Sequence, residues 1–322
     1  MAAVFIPSLG LAQQPAKVYR IATLYLSGPP VEHARAAHTT KALLHGLEER
    51  GFTEGQNLIL DLRSAQGDMK TFYLLLDELV KLQPDVFFAY VCGGSFHLLR
   101  KRVTTIPIVV GACNDDLVAQ GVVGSLRRPG GNITGLSKVT PELAAKRLSL
   151  AKELVPTATR AAVLWNPDYA DFAADWQAIR AAASTLNITL QPYAIYKASD
   201  LEAAFVSMAR SGADVLVTFS DTVVHGAAKR VAQLAATHRI PGIYAFREVA
   251  DAGGLLSYGP NIAALYRESA KYIARIFNGA NPADMPIEQP TKVELVINLK
   301  AARALGLAVP PSLLLRADEV IQ

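Results

Sequence analysis

A chain of 322 residues is long enough for two domains of ordinary size, and a 51% hydrophobic share can fill two cores. Charged residues at 19% and a net charge of +4 argue against a disordered chain and against a nucleic-acid partner. The basic residues, Lys146-Arg147 and Lys229-Arg230 among them, are scattered over predicted helix faces and read as solvated.

Residues 2–12 (AAVFIPSLGLA) form a short apolar run ending in small residues and followed by Gln13-Gln14-Pro15. This resembles the h-region and cleavage site of a secretory signal peptide. No positively charged n-region precedes it, and a plain apolar arm is the alternative. Residues 1–16 are set apart as a signal-peptide remnant or arm. No apolar run reaches the roughly 20 residues needed to span a bilayer.

From Val18 onward one series of blocks occurs twice. Residues 18–27 (VYRIATLYLS) and 159–167 (TRAAVLWNP) each predict a strand, followed by Ala-rich helical stretches at 34–50 and 171–186. Alternating runs at 57–63 and 188–194 come next, each ending in a polar turn with an Asp, Gly67-Asp68 or Ser199-Asp200. Second helices follow. In 71–82 the residues Phe72, Leu75, Leu76, Leu79 and Leu82 share one helix face; Leu201, Phe205 and Met208 do the same in 201–210. Pro84-Asp85-Val86 and Ala213-Asp214-Val215 then open short, continuously apolar runs, as strands buried on both faces require. Ile106-Pro107 and Ile240-Pro241 open the next strands, and Gly130-Gly131 and Gly253-Gly254 follow them. Thr140, Pro141 and Glu142 predict a capped helix over 141–154.

Two copies of one βα series predict an α/β fold of two similar doubly wound parallel-sheet lobes joined by a multi-strand hinge. The chain changes lobe at the Gly-rich stretches 130–135 and 253–260, where a hinge can take up backbone rotation. Residues 261–278 predict a long helix on the first lobe. Residues 279–290 read as a surface connection and third crossing, leading to a strand (293–299) and a short helix (300–305) on the second lobe. The lobes are 17–133 plus 261–286 and 134–260 plus 287–322. Cys92 and Cys113 each fall just past a predicted strand. If those strands are neighbours, their ends lie about 5 Å apart, which leaves a disulfide and two buried thiols both open.

Six histidines form no HExxH or HxH motif. GxSxG, the Walker loop and GxGxxG are absent, the first βα turn reading Leu26-Ser27-Gly28-Pro29-Pro30. Ser149 and Lys152 form a Ser-x-x-Lys inside a helix, without its usual companions. Asp115-Asp116 are adjacent loop carboxylates that usually point apart. No cofactor and no metal are expected.

What remains is a set of polar loops at the C-terminal ends of the strands, the edge where open α/β sheets bind ligands. The candidates in the first lobe are Tyr25, Ser27, Gly28, Gly93, Gly94, Ser95, Asn114 and Asp115. In the second they are Asn166, Pro167, Tyr169, Asp221, Phe246 and Arg247, with Tyr258 on the return crossing. Gly93-Gly94-Ser95 precedes a helix whose N–H groups can hold a carboxylate. Asp221 or Asp115 can pair with an ammonium, and Arg247 with an anion. Tyr25, Phe96, Tyr169, Phe246 and Tyr258 can sandwich a flat ring. For each residue taken singly, an ordinary cap or turn is the competing reading.

The chain also resembles the ABC-transporter substrate-binding proteins of the tryptophan/tyrosine type. The resemblance is carried by Gly46-Leu47 with Gly51-Phe52-Thr53-Glu54-Gly55-Gln56-Asn57, by Ile106-Pro107-Ile108-Val109, and by Arg128-Pro129-Gly130-Gly131-Asn132-Ile133-Thr134-Gly135-Leu136-Ser137. It continues through Leu164-Trp165-Asn166-Pro167, Phe246-Arg247-Glu248, Gly253-Gly254-Leu255-Leu256-Ser257-Tyr258-Gly259-Pro260, Glu288-Gln289-Pro290-Thr291-Lys292 and Arg316-Ala317-Asp318-Glu319-Val320. The resemblance implies a type I periplasmic-binding fold and an exported receptor that delivers a small solute to permease and ATPase subunits of the inner membrane. Family members commonly carry a Gly-Thr-Pro-Ala-like loop where this chain has Cys92-Gly93-Gly94-Ser95-Phe96. They commonly carry Gly-Asp-Pro where it has Asp115-Asp116-Leu117. Both departures fall in the expected pocket and leave an aromatic or carboxylate compound open beside an amino acid. A sensor domain feeding a signalling partner is the rival reading, and a cleft enzyme the weaker one.

Overall fold

The computed structural model of the protein describes residues 17–26, 30–90, 94–113, 116–137, 142–167, 172–289 and 292–322. The first lobe begins with β1 (Tyr19–Tyr25), α1 (Val31–Ala36) and α2 (His38–Glu48). It continues with β2 (Leu58–Ser64), α3 (Met69–Lys81), β3 (Val86–Ala89), α4 (Gly94–Arg102), β4 (Ile108–Cys113) and β5 (Ile133–Ser137). The second lobe carries α5 (Glu142–Leu154), β6 (Arg160–Trp165), α6 (Phe172–Leu186), β7 (Thr189–Ala194), α7 (Leu201–Arg210) and β8 (Val215–Thr218). It continues with α8 (Thr222–Gly226), α9 (Ala228–Thr237), β9 (Gly242–Tyr244), α10 (Arg247–Asp251) and β10 (Leu256–Gly259). After these come α11 (Ile262–Phe277), β11 (Glu294–Asn298), α12 (Leu299–Leu305), α13 (Pro311–Leu314) and β12 (Glu319–Ile321).

The first sheet has strand order β2-β1-β3-β4-β5, and the second runs β7-β6-β8-β9-β10 before β11 and β12 extend it. The two orders match strand for strand, which is the duplication read in the sequence. Successive residues of the inner strands enter separate cores: Phe88 and Val109 on one face, Phe87, Ile108 and Val110 on the other. In the second sheet Ala162, Leu164 and Leu216 face one way and Val163, Val215 and Val217 the other. Both sheets are therefore covered on both faces. The alternating runs form β2 and β7, the outermost strands. In β2 Leu58, Leu60 and Leu62 are buried while Ile59 is exposed.

Two details depart from expectation. The second sheet is mixed, because β11 runs antiparallel to β10; the chain enters β11 from the first lobe and so arrives at the opposite end. Residues 283–288 are not a surface connection. β5 is an edge strand with unpaired backbone groups, and this segment satisfies them. Ser137 donates its N–H to Glu288 O at 2.9 Å, Glu288 donates to Gly135 O at 3.1 Å, and Thr134 Oγ1 donates to Met285 O at 2.9 Å. Met285 and Ile287 are buried there.

Local chemistry sets the helix starts. Asp68 accepts from Thr71 N, Asp221 from Val223 N and Val224 N, Asn261 from Ala264 N and Asn298 from Ala301 N, all side-chain N-caps. The predicted cap Thr140 and Pro141 lie outside the described residues, and α5 begins at Glu142. α11 returns to the first lobe and packs on α2 and β4. Gly46 permits the close crossing: a Cβ there would lie 2.5 Å from Arg267 O and 2.9 Å from the Ala270 Cβ. Cys113 ends β4 and is disulfide-bonded. The other cysteine, Cys92, lies outside the described residues.

Candidate functional site

In a βα series each helix N-terminus lies at the C-terminal end of the strand before it. The first-lobe rim therefore carries the end of β1, the start of α2 and the residue after β3. Tyr25 ends β1 and stacks on Tyr90 with centroids 5.0 Å apart, and Tyr90 meets Tyr266 of α11 edge-on at 5.1 Å. Tyr90 Oη lies 3.0 Å from Thr40 Oγ1, which donates in turn to Ala34 O. Burial pushes the Tyr25 phenol well above its ordinary range. Gly94 and Ser95 open α4. Ser27, Gly28, Gly93, Asn114, Asp115 and Tyr169 lie outside the described residues. Asp116 accepts from Ala119 N at 2.9 Å as an ordinary turn residue. Phe96 presents no ring to a ligand: it is 1% exposed and fills the first-lobe core.

On the second-lobe rim Asn166 and Pro167 follow β6, and Asp221 follows β8. Asn166 is buried and Pro167 half-buried. Asp221 is 0% exposed. Its Oδ1 accepts from Val223 N at 2.7 Å and Val224 N at 3.1 Å, while no donor meets Oδ2 with hydrogen-bond geometry. Burial raises its pKa to about 6, against the pull of the Val224 and Val223 N–H groups and the Asn166 side chain. Phe246 is buried with its ring 4.9 Å from the His225 imidazole. Tyr258 is half-buried near the end of β10.

Arg247, for which the sequence suggests a ligand anion, already has protein carboxylates as partners: Asp251 at 3.2 Å, Glu294 at 3.2 Å and Glu319 at 2.8 Å. Burial lowers its pKa, and the bonds to Asp251 and Glu319 outweigh burial and raise it. Glu294 also accepts from Asn261 Nδ2 at 3.1 Å. Arg247 thus ties α10 to β11, β12 and the start of α11.

Arg147 is a correction. It reads as a solvated residue beside Lys146, yet it is 1% exposed. Its Nη1 donates to Tyr258 O at 3.1 Å, and its Nε has no partner. Burial lowers its pKa to about 10. The signal was available in the helix period, since Arg147 shares a face with the buried Ala144, Leu143 and Leu150.

The two rims meet. His38, first residue of α2, places Nε2 3.4 Å from Glu248 Oε1 of α10. His225 of α8 places its own Nε2 3.5 Å from the same oxygen. Tyr90 and Tyr266 of the first lobe belong to the same buried cluster as Phe246 and Val249 of the second. The lobes thus face each other with their loop-bearing edges. Among the described residues no group of three or more His, Cys, Asp or Glu is arranged to hold a metal ion, and no helix is long and apolar enough to cross a membrane.

The fold and rims define a two-lobed solute-binding protein. The ABC transporter substrate binding protein model matches residues 28–321, and the chain belongs to that family. It is 26% identical over 277 residues to a tyrosine-binding protein of Clostridioides difficile (strain R20291), covering 86% of this chain and 79% of that one. A crystal structure of an ABC domain from Streptococcus pneumonia in complex with L-Trp is 24% identical with a TM-score of 0.80, over 95% of this chain and 100% of the other. A ligand-free, open structure of a substrate-binding protein with adhesive properties from Clostridium difficile is 25% identical with a TM-score of 0.64, over 95% and 100%.

Proposed function

We propose that this chain is the extracytoplasmic receptor of an ABC importer. It captures a small solute between its lobes, an amino acid or an aromatic carboxylate, and hands it to permease and ATPase subunits. The lobes are 17–133 plus 261–286 and 134–260 plus 287–322, and the three crossings between them serve as the hinge. The observation that carries this reading is the rim-to-rim contact of His38 and Glu248. Matched edges in contact give a bound molecule partners on both lobes at once, and that is what makes closure depend on it. Two similar proteins carry tyrosine and L-Trp in their names. At near-equal identity this chain overlays better on the L-Trp complex than on the open, ligand-free structure, which supports a lobes-together arrangement here.

Within the site Asp221 is the ammonium anchor: a buried carboxylate whose Oδ1 caps α8 and whose Oδ2 meets no donor at hydrogen-bond geometry, with the Asn166 side chain beside it. Tyr25, stacked on Tyr90, supplies ring surface on the first lobe, and Phe246 and Tyr258 are separate ring candidates on the second. The reading is of a binding protein, because relatives are binding proteins. Thermal-shift screening with L-tryptophan, L-tyrosine and aromatic carboxylates tests it. A compound at one hundred times its Kd should stabilise the protein by about 2.7 kcal/mol. A melting transition unmoved by every solute class would end the proposal.

A further inference from the structure

Glu248 occupies an unusual position. Both of its carboxylate oxygens are buried, and no hydrogen-bond donor meets either at good geometry. Its neighbours are two imidazoles, at 3.4 and 3.5 Å from one oxygen. His225 belongs to the same lobe. His38 does not: α2 packs with α11 on the first sheet, whereas α10 packs on α9, β10 and β11 of the second. The His38 side chain is 57% exposed and that of Glu248 is 13% exposed. A buried anion is thus fixed on one lobe, and the imidazole that reaches it from the other lobe has its far side in water.

We propose that His38 and Glu248, backed by His225, form a proton-operated latch between the lobes, so that acidification favours the closed protein and tightens solute capture. The proposal rests on the closure reading above. When the lobes part, His38 becomes an ordinary exposed histidine with a pKa near 6.5. When they meet, the ion pair with Glu248 raises its pKa, and desolvation opposes this only in part. The shift is upward, so the latch contributes in full below the open-state value and is lost as pH rises through the higher closed-state value. Burial works to raise the Glu248 pKa, but His225 and His38 outweigh it and hold the carboxyl well below its ordinary range, so Glu248 meets His38 as an anion. His225 sits beside Glu248 on the same lobe whether the lobes meet or part, and the remaining groups facing the pair are fixed in charge there. Asp251 of α10 favours protonated His38 and Arg247 opposes it. Arg247 is itself offset by Asp251, Glu294 and Glu319. Tyr266 of α11 faces Glu248, and burial raises its phenol well above the ordinary range, so it stays neutral.

The test measures lobe separation in the ligand-free full chain by electron-spin distance measurement. Spin labels go on Leu74→Cys of α3 and Val206→Cys of α7, both exposed positions. Between about pH 8 and pH 5.5 the ratio of short to long separations should rise roughly two- to fivefold, the range that one partly exposed ion pair supplies. His38→Asn should remove the response; its exposed side chain makes misfolding a small risk, unlike the buried Glu248→Gln. A pH-independent distribution in the parent protein, or a response retained in His38→Asn, overturns the latch. L-tryptophan and L-tyrosine titrated at both pH values form a second arm, with tighter binding expected at the lower pH. If neither binds at either pH the solute reading fails, while the distance measurement still decides the latch.

Discussion

Asp85 and Asp214 hold equivalent places in the two lobes. Each accepts the backbone N–H of an arginine on the first strand of its lobe, Arg20 or Arg160, at 2.8 Å. Each also donates its own N–H to that arginine's carbonyl oxygen at 2.9 Å. The residue that follows, Val86 or Val215, opens the third strand. The duplication thus reaches the hydrogen bonds that set one strand beside another.

Asp214 carries the heavier load, because its Oδ2 also accepts from Thr159 N at 2.9 Å and Thr159 Oγ1 at 3.1 Å. Asp214→Ala should cost about 1–3 kcal/mol in urea unfolding at pH 7, and Asp85→Ala less. Burial works to raise the Asp214 pKa, but the Thr159 and Arg160 N–H groups outweigh it and hold it below the usual 3.8. Its contribution is therefore present above the unfolded-state value and lost as pH falls through the lower folded one. The gap between Asp214→Ala and the parent should narrow at about pH 2.5, and an unchanged gap would count against the carboxylate's role.

Asp221 runs the other way. Its pKa is raised to about 6 from 3.8, so its charge opposes folding above pH 6 and stops doing so as pH falls below 3.8. Asp221→Asn keeps a capping oxygen for α8 and removes the buried charge. The variant should be more stable than the parent at pH 7, by at most about 3 kcal/mol, and no more stable near pH 3.5. Binding of an ammonium-bearing probe should be lost at the same time. A variant that is less stable at pH 7 would refute the assignment.

Arg147→Ala should destabilise the second lobe by about 2–4 kcal/mol. It leaves a cavity on the helix face shared with Leu143, Ala144 and Leu150 and removes the donor from the Tyr258 carbonyl. Chemical denaturation reads the loss. A cost below about 0.5 kcal/mol, the range of ordinary surface sites, would mean that the buried guanidinium holds nothing.

Gly46→Val should force α2 and α11 apart, since the first added carbon already meets Arg267 O and the Ala270 Cβ. Overpacking of this kind costs about 1–3 kcal/mol. The change should appear as a lower melting temperature of the first lobe, with amide-exchange protection lost along α11 before α6.

Much of the architecture was legible in residue order because it depends on local rules. Strands covered on both faces must be apolar throughout, so Val86–Ala89 and Val215–Thr218 stand out as unbroken runs. Edge strands alternate, as Leu58–Ser64 does. Caps are chosen within a few residues, so Asp68 and Asn261 mark helix starts. The rim was legible in the same way, because the ends of strands follow from the strands. Phe96 misled because an aromatic beside a glycine pair reads alike whether its ring enters the core or the cleft.

Burial periodicity and turn chemistry act over a few residues at a time, and they are enough to specify two copies of one βα unit and, with them, two sheets of matching order. Which distant groups share a site is set only once the lobes pack. His38 and Glu248 stand 210 positions apart in the chain yet 3.4 Å apart in space. Arg147 reaches Tyr258, Arg247 turns to Glu294 and Glu319, and residues 283–288 seal the edge of β5. Charge and hydrogen-bond partners are chosen by proximity after the lobes pack, and no local pattern records that choice.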